Sequence, residues 1–238
     1  MNKSRGKINT YYYNKHKNND YNDLLSNMVS KDLDDGIKTA NIRILGKYFD
    51  QYEKILSKRL FTIIKEGCPL YTKIEIQKVL SNGTKITADL LISYLGHIGN
   101  NQHLKIPSKT SKKKTYPIAR DICARILQKM DKIAVHEIYS KIKEGCLSYS
   151  EKSEALDVLG YCIFHNNSLG TSRLLKTIIK EKNSCNILCK WKSIRALSAF
   201  KHNDFVKEYL NSLYIKSNSN EIKSEIKSEI KRSLSFII

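Results

Sequence analysis

The chain is poor in several residue types, and each scarcity limits what it can be. Only three of its 238 residues are proline and only one is tryptophan. Acidic residues are outnumbered, with 23 Asp and Glu against 42 Lys and Arg, which gives a formal net charge of +19. The near absence of proline favours helices. The basic excess would attract nucleic acid, anionic membrane surfaces or acidic proteins. An AT-rich coding sequence would also enrich lysine, and that alternative stays open.

Long apolar runs and clustered cysteines are missing as well. No apolar run approaches the roughly 18 residues of a membrane span, so we expect a soluble protein. The six cysteines are scattered without a CxxC pair, and no secretory leader is recognisable. We therefore expect a reduced, cytoplasmic protein. Cys185 and Cys189 are four positions apart, but His165 and His202 do not stand at a ligand spacing that would complete a zinc site.

Recognisable catalytic motifs are also missing. The sequence contains no GxSxG, Walker, GxGxxG, HExxH or paired-carboxylate pattern, and its six histidines have no common spacing. The sequence therefore predicts no catalytic residue, no cofactor and no metal. We expect the protein not to be an enzyme.

What the sequence does contain is a helical pattern that repeats. From Leu33 onward, apolar residues return at three and four positions, and isolated Gly, Asn and Asp residues interrupt them. The pentapeptide IKEGC occurs at 64–68 and again at 142–146. We interpret each copy as the end of a second helix in a repeat unit. Its Gly would stop the helix in a left-handed conformation, and its Cys would pack into the next turn.

Six leucines serve as anchors of the repeat, with successive spacings of 50, 32, 32, 38 and 37. Most of these spacings are typical of helical repeats. The anchors are Leu45, Leu95, Leu127, Leu159, Leu197 and Leu234. The residue seven positions before the anchor is basic in five of six units. These basic residues are Lys38, Arg120, Lys152, Lys190 and Lys227. Second helices are predicted after four anchors, at 54–66, 132–144, 170–182 and 204–214.

Three of the anchor segments carry a resemblance to a known family. Residues 37–45 (IKTANIRIL), 119–127 (ARDICARIL) and 191–197 (WKSIRAL) resemble the VRxxAxxAL helix of HEAT and armadillo-type repeats. The resemblance covers about residues 30 to 238. It implies an all-α fold, an α-solenoid of about five HEAT-like helical pairs. The segment 220–234 has an apolar residue at every fourth position and would form a C-terminal capping helix.

Two segments depart from the repeat. Residues 1–27 are polar, Asn-rich and basic, which predicts a poorly ordered N-terminal tail before a helical-repeat domain over 28–238. Residues 99–115 stand where a second helix should be and predict a basic loop insertion. No acidic residue occurs between Asp89 and Asp121. The cations of this region predict an exposed, mobile element that binds anions. They are Lys105, Lys109, Lys112, Lys113, Lys114 and Arg120.

The resemblance describes packing rather than biological task. Our first hypothesis is a non-catalytic binding or scaffold protein that holds an acidic protein partner on its helical-repeat surface. The candidate contacts are Tyr139, Leu174, Phe205 and Tyr209. The second hypothesis is a nucleic-acid-binding solenoid that uses a basic face and the Lys-rich loop 105–120. A remote third is a DNA-repair glycosylase-like or lyase-like enzyme on the same scaffold. Those glycosylase sites resemble a basic groove with Trp and a catalytic Asp, and Trp191 here has no local match to that pattern.

Overall fold

The computed structural model describes residues 5–29, 33–111, 113–184, 186–217 and 223–237. They form helices joined by turns and irregular segments, with no strand among the described residues, so the predicted all-α class is confirmed. Within these ranges, no helix has the length and apolar character needed to cross a membrane. The α-helices are α1 Thr10–His16, α2 Tyr21–Val29, α3 Asp35–Leu45, α4 Phe49–Glu66, α5 Leu70–Leu80, α6 Lys85–Ile92, α7 Ile122–Met130, α8 Lys132–Glu144, α9 Tyr149–His165, α10 Ser172–Lys182, α11 Ile187–Leu197, α12 Asp204–Lys216 and α13 Ser224–Leu234.

The chain divides into two compact units, Met1–Leu90 (unit 1) and Leu91–Ile238 (unit 2). This division differs from the predicted single repeat domain over 28–238. The boundary falls within α6, so residues 85–90 of this helix belong to unit 1 and residues 91–92 belong to unit 2.

The N-terminal segment of unit 1 contains two helices, α1 and α2, where the sequence predicted a poorly ordered tail over residues 1–27. Helices α1 and α2 both pack on α3. Leu24 is fully buried, and the Tyr21 ring stacks on Tyr52 with centroids 3.9 Å apart. The backbone N–H of Asn9 donates to the Gly36 carbonyl at 3.1 Å. A few well-placed apolar and aromatic contacts hold this segment, although its overall composition is polar.

An ion pair joins helices α3 and α5 of unit 1. The position of α5 also accounts for the longest spacing between the predicted anchor leucines. Helix α3 packs on α5, and the Arg43 guanidinium donates to both oxygens of Glu75, at 2.9 and 2.6 Å. Helix α5 was not predicted. It ends at Leu80, 35 positions after the anchor Leu45, so the anomalous spacing of 50 to Leu95 arises from skipping a helix.

The helices of unit 2 contact one another in a regular series. Each of α7, α9 and α11 contacts the next member of the series α7, α9, α11 and α13. Helix α8 packs on α9, α10 on α11 and α12 on α13, and α8 also contacts α10. The predicted second helix 132–144 is observed with those bounds, and 170–182 and 204–214 differ from the observed helices by two residues at one end. The anchors Leu127, Leu159 and Leu197 are fully buried.

Both copies of IKEGC end a helix as predicted. Gly67 follows α4 with a φ of 96°, and Gly145 follows α8 with a φ of 72°. The N–H of Gly145 donates to the Ile142 carbonyl at 3.1 Å, which satisfies a carbonyl at the helix end. The predicted packing of the cysteines is wrong for Cys146, which is exposed.

Candidate functional site

The core of unit 2 contains a network of buried charges. Three helices that contact one another in series, α9, α11 and α13, each carry two charged side chains three positions apart, and all six side chains are buried. The pairs are Glu154 and Asp157 on α9, Lys192 and Arg195 on α11, and Glu229 and Arg232 on α13. Since three cations face three anions, the network can be buried without net charge.

One half of the network joins α9 to α11. Lys192 Nζ lies 2.7 Å from Glu154 Oε1 and 2.9 Å from Asp157 Oδ2, and Arg195 Nη1 lies 3.7 Å from Asp157 Oδ1. Burial raises the pKa of Glu154 to about 7, against the attraction of Lys192. Burial also raises the pKa of Asp157, but attraction by Lys192 and Arg195 outweighs it and holds that pKa below its ordinary value. Asp157 is therefore ionised at neutral pH, whereas Glu154 gains and loses its proton near neutrality.

The other half of the network anchors the basic loop to the C-terminal helix. Glu229 Oε1 lies 3.4 Å from Arg195 Nε and 2.9 Å from Arg232 Nη1. Arg232 then uses its remaining nitrogens on the loop backbone. Its Nε donates to the Ser111 carbonyl at 3.1 Å and its Nη2 donates to the Thr115 carbonyl at 3.3 Å. A charge buried in the core thus positions the basic loop.

Further contacts hold the loop at its two ends. Gln102 Nε2 donates to Asp121 Oδ2 at 2.9 Å, and Asp121 Oδ1 caps α7 by accepting the N–H of Ala124 at 2.8 Å. Tyr116 is buried against Gly160 of α9, where a Cβ would overlap the tyrosine ring. The loop is therefore held at Gln102, Ser111, Thr115 and Tyr116, whereas its composition alone predicted a mobile element.

A pocket of about 380 Å³ lies where the loop meets α9 and α11, and we name it the basic pocket. Four cations line it, whereas Asp157 is the single carboxylate in its lining. The cations are Lys109, Lys113, Arg120 and Arg195. Because Arg195 already faces Asp157, the charges of Lys109, Lys113 and Arg120 are left for a ligand. Lys109, Lys113 and Arg120 are all exposed.

Three polar atoms at the basic pocket are buried without a hydrogen-bond partner in the described part of the chain. They are His103 Nδ1, Tyr116 Oη and Asp157 Oδ1. Burial, with repulsion by Lys192, lowers the pKa of His103 to about 4, and burial raises the pKa of Tyr116 well above its ordinary value. At neutral pH the pocket thus offers a neutral imidazole, a protonated phenol and a carboxylate. These groups can bind a polar ligand by hydrogen bonds.

The structure brings most of the predicted anion-binding residues together. Lys109, Lys113 and Arg120 line the basic pocket. Lys113 and Lys114 line a second pocket, which contains Phe164 and Phe236 and which we name the aromatic pocket. Lys105 is exposed and belongs to neither lining, and Lys112 lies outside the described residues.

Two other sets of predicted residues have different surroundings. Among the basic residues seven positions before the anchors, Lys152 is engaged with Glu181, whose Oε2 lies 3.2 Å from its Nζ. Among the candidate protein contacts, Leu174 is buried, whereas Phe205 is 59% exposed and its ring is stacked on Tyr209. Leu174 is therefore a core residue rather than a surface contact.

Sequence reasoning missed the buried residues that build the site, although a signal for them was present. The basic residues that the sequence singled out lie seven positions before each anchor, whereas the network uses the residues two and five positions before it. The position two before the anchor is arginine in four units, and two of these arginines, Arg195 and Arg232, belong to the network. The carboxylate partners of Arg195 lie on the neighbouring helices α9 and α13, which only the fold brings close, whereas Arg232 pairs with Glu229 on its own helix.

No described group of three His, Cys, Asp or Glu side chains could hold a metal ion. Cys189 is buried, and Cys185 lies outside the described residues. Trp191 is buried beneath Arg195, whose Cζ lies 3.8 Å from the ring centroid.

Comparison of the chain with protein-family models gave no match, and comparison with curated proteins gave no significant match.

Proposed function

We propose that the protein binds nucleic acid without catalysing a reaction, and that unit 2 contacts the phosphates through the basic loop and the basic pocket. The observation that carries this proposal is the pocket lining, in which Lys109, Lys113 and Arg120 have no carboxylate partner in the described part of the chain. Lysine and arginine that are fixed on one face provide the sequence-independent part of nucleic-acid affinity.

The anchoring of the loop supports this proposal. A mobile chain of lysines would lose conformational entropy on binding, and that loss would offset part of the electrostatic gain. Here the backbone carbonyls of Ser111 and Thr115 are already held by Arg232. Lys113 and Lys114 are therefore presented close to a backbone position that is already held, at Thr115.

The state of the pocket's titratable groups supports binding rather than catalysis. A general acid or base works best with a pKa near the operating pH. His103 titrates near pH 4 and Tyr116 well above pH 10, so neither exchanges a proton near neutrality. Glu154, whose pKa is about 7, is not part of the pocket lining.

We also propose that the helix pairs form a HEAT-like α-solenoid closed by α13. The succession of contacts among α7, α9, α11 and α13 supports this arrangement. So does the recurring ion pair between the residue two positions before one anchor and the residue five before the next. It occurs as Asp157 with Lys192 and as Arg195 with Glu229, and Arg43 with Glu75 has the same spacing when Leu80 is taken as the anchor of α5.

The binding proposal is tested by fluorescence anisotropy with labelled duplex DNA and single-stranded RNA. The loop variant changes Lys109, Lys113, Lys114 and Arg120 to Gln. The control variant removes the same charge from exposed lysines of α8, α10 and α12, by changing Lys143, Lys176, Lys180 and Lys207 to Gln. We expect the loop variant to bind at least about tenfold more weakly than the wild type, and the control variant to bind nearly as the wild type does.

Two results would contradict the proposal. Absence of binding by the wild type near physiological salt would remove it altogether. Equal losses in the loop and control variants would show that net charge attracts the nucleic acid and that the loop has no special part.

A protein partner remains the second candidate, because Phe205 is exposed and stacked on Tyr209 at a ring distance of 6.2 Å. Aromatic side chains on a surface are common at the centre of protein interfaces. A wild type that binds no nucleic acid, together with a partner whose binding is lost in Phe205→Ser, would favour this candidate.

A further inference from the structure

The aromatic pocket combines two features that nucleic-acid binding uses together. It has a volume of about 640 Å³ and is lined by two phenylalanine rings and four cations, with no carboxylate in the lining. The rings are Phe164 and Phe236, and the cations are Lys113, Lys114, Lys201 and Arg232. This volume lies within the range of roughly 300 to 1,000 Å³ that is typical of small-molecule sites.

The two rings already form an aromatic assembly with cations over them. Phe164 and Phe236 meet edge to face with centroids 5.8 Å apart. Lys201 Nζ lies 3.4 Å from the Phe164 centroid, and Arg232 Cζ lies 4.7 Å from the Phe236 centroid. Both phenylalanines are only partly buried. Flat aromatic and guanidinium surfaces of this kind are those on which unpaired bases stack.

The position of the pocket relates it to the phosphate-binding loop. Ser111 and Lys113 line the aromatic pocket and the basic pocket alike. Tyr116 of the basic pocket also contacts Phe164, with ring centroids 5.8 Å apart. A strand whose phosphates lie on the loop would therefore place a neighbouring base within reach of the two rings.

We propose that the aromatic pocket binds one unpaired base of a single strand, with Lys113 and Lys114 on the adjacent phosphates. This inference rests on the proposed function and makes it more specific, since a base held in a duplex has no free face to offer. Stacking on a phenylalanine ring is open to every base, so the pocket predicts a preference for single strands over duplexes with little preference for sequence.

The test uses Phe236→Leu, which keeps an apolar side chain but removes the flat ring. Phe236→Tyr keeps the ring and serves as the rescue variant, and Phe205→Leu removes an exposed ring outside both pocket linings. The probes are a 12-nucleotide single strand, a strand of the same length and charge whose central positions are abasic, and a duplex. Each is made as DNA and as RNA, except that the abasic strand is DNA. A 2-aminopurine at a central position reports stacking directly.

We expect Phe236→Leu to weaken binding of the base-containing strand about tenfold or more in at least one of the two nucleic acids. Binding of the abasic strand and the duplex should be unchanged. The 2-aminopurine should be quenched by the wild type, by Phe236→Tyr and by Phe205→Leu, and less by Phe236→Leu. Unchanged Trp191 fluorescence in Phe236→Leu would show that the fold of unit 2 is kept.

The proposal would be overturned if the wild type bound base-containing and abasic strands equally, or if Phe236→Leu weakened all probes to the same extent. Either result would leave phosphate binding by the loop intact. Failure of the proposed function itself would be recognised separately, because the wild type would then bind none of the probes.

Discussion

The buried carboxyl of Glu154 makes a sharp prediction about stability and pH. Its folded pKa is about 7, against an ordinary value of 4.5. Between these two pH values the folded protein holds a proton that the unfolded chain has released, so stability falls as pH rises through this window. For this group alone, the free energy of unfolding should be roughly 2 to 3 kcal/mol higher at pH 5 than at pH 8.

Glu154→Gln removes the titration but keeps an oxygen that can accept from Lys192. Unfolding in urea should be followed at pH 5, 6, 7 and 8 through the fluorescence of Trp191, the only tryptophan and a neighbour of the network. The difference in unfolding free energy between wild type and variant should change by roughly 2 to 3 kcal/mol across this range, in the direction that favours the variant at high pH. Comparison with the wild type cancels the titration of other groups.

The matched control is Glu208→Gln, which changes an exposed carboxyl on α12. Its pH profile should run parallel to that of the wild type. Parallel profiles for Glu154→Gln and the wild type would refute the reasoning, because Glu154 would then be ionised at neutral pH in spite of its burial.

Two further predictions concern packing and capping. Gly160→Ala should lower the unfolding free energy of unit 2 by about 1 to 3 kcal/mol in the same Trp191 assay, because the added methyl group must displace Tyr116; a change below about 0.5 kcal/mol would show that the loop yields without cost. Glu53 accepts hydrogen bonds from Thr84 and Thr87 at the start of α6, and these bonds lower its pKa although burial raises it. Its stabilising contribution is therefore present above pH 4.5 and is lost as the pH falls. Unfolding in urea, followed by far-UV circular dichroism, should depend less on acid pH in Glu53→Gln than in the wild type. Equal dependence in both proteins would contradict this role.

The sequence predicted the helical class and much of the helix order because both depend on local patterns. Apolar periodicity located α8 and α12, and glycine after a charged helix end located the stops at Gly67 and Gly145. Composition misled for residues 10–27, because two short helices need few apolar side chains when a third helix covers them. Helix α5 was not recognised as part of the repeat because the predicted register makes Leu45 and Leu95 the anchors of consecutive units.

The site could be predicted only in part. The exposed cations of the loop stand together in the sequence, so their pattern indicated an anion-binding element. Asp157, Arg195 and Glu229 lie far apart in the sequence and meet only when α9, α11 and α13 pack side by side. In the sequence alone, Lys192 and Arg195 look like ordinary surface residues, because their partners Glu154 and Glu229 are 38 and 34 residues away.

The most direct test of nucleic-acid binding by unit 2 is the salt dependence of the affinity for a single-stranded 12-mer. The logarithm of the association constant should fall linearly with the logarithm of salt concentration for the wild type. The slope should be shallower by about 3 in the variant that lacks the four loop cations, because each phosphate contact contributes about 0.7 to it. A slope in that variant equal to the wild-type slope would contradict the claim that these cations contact phosphates.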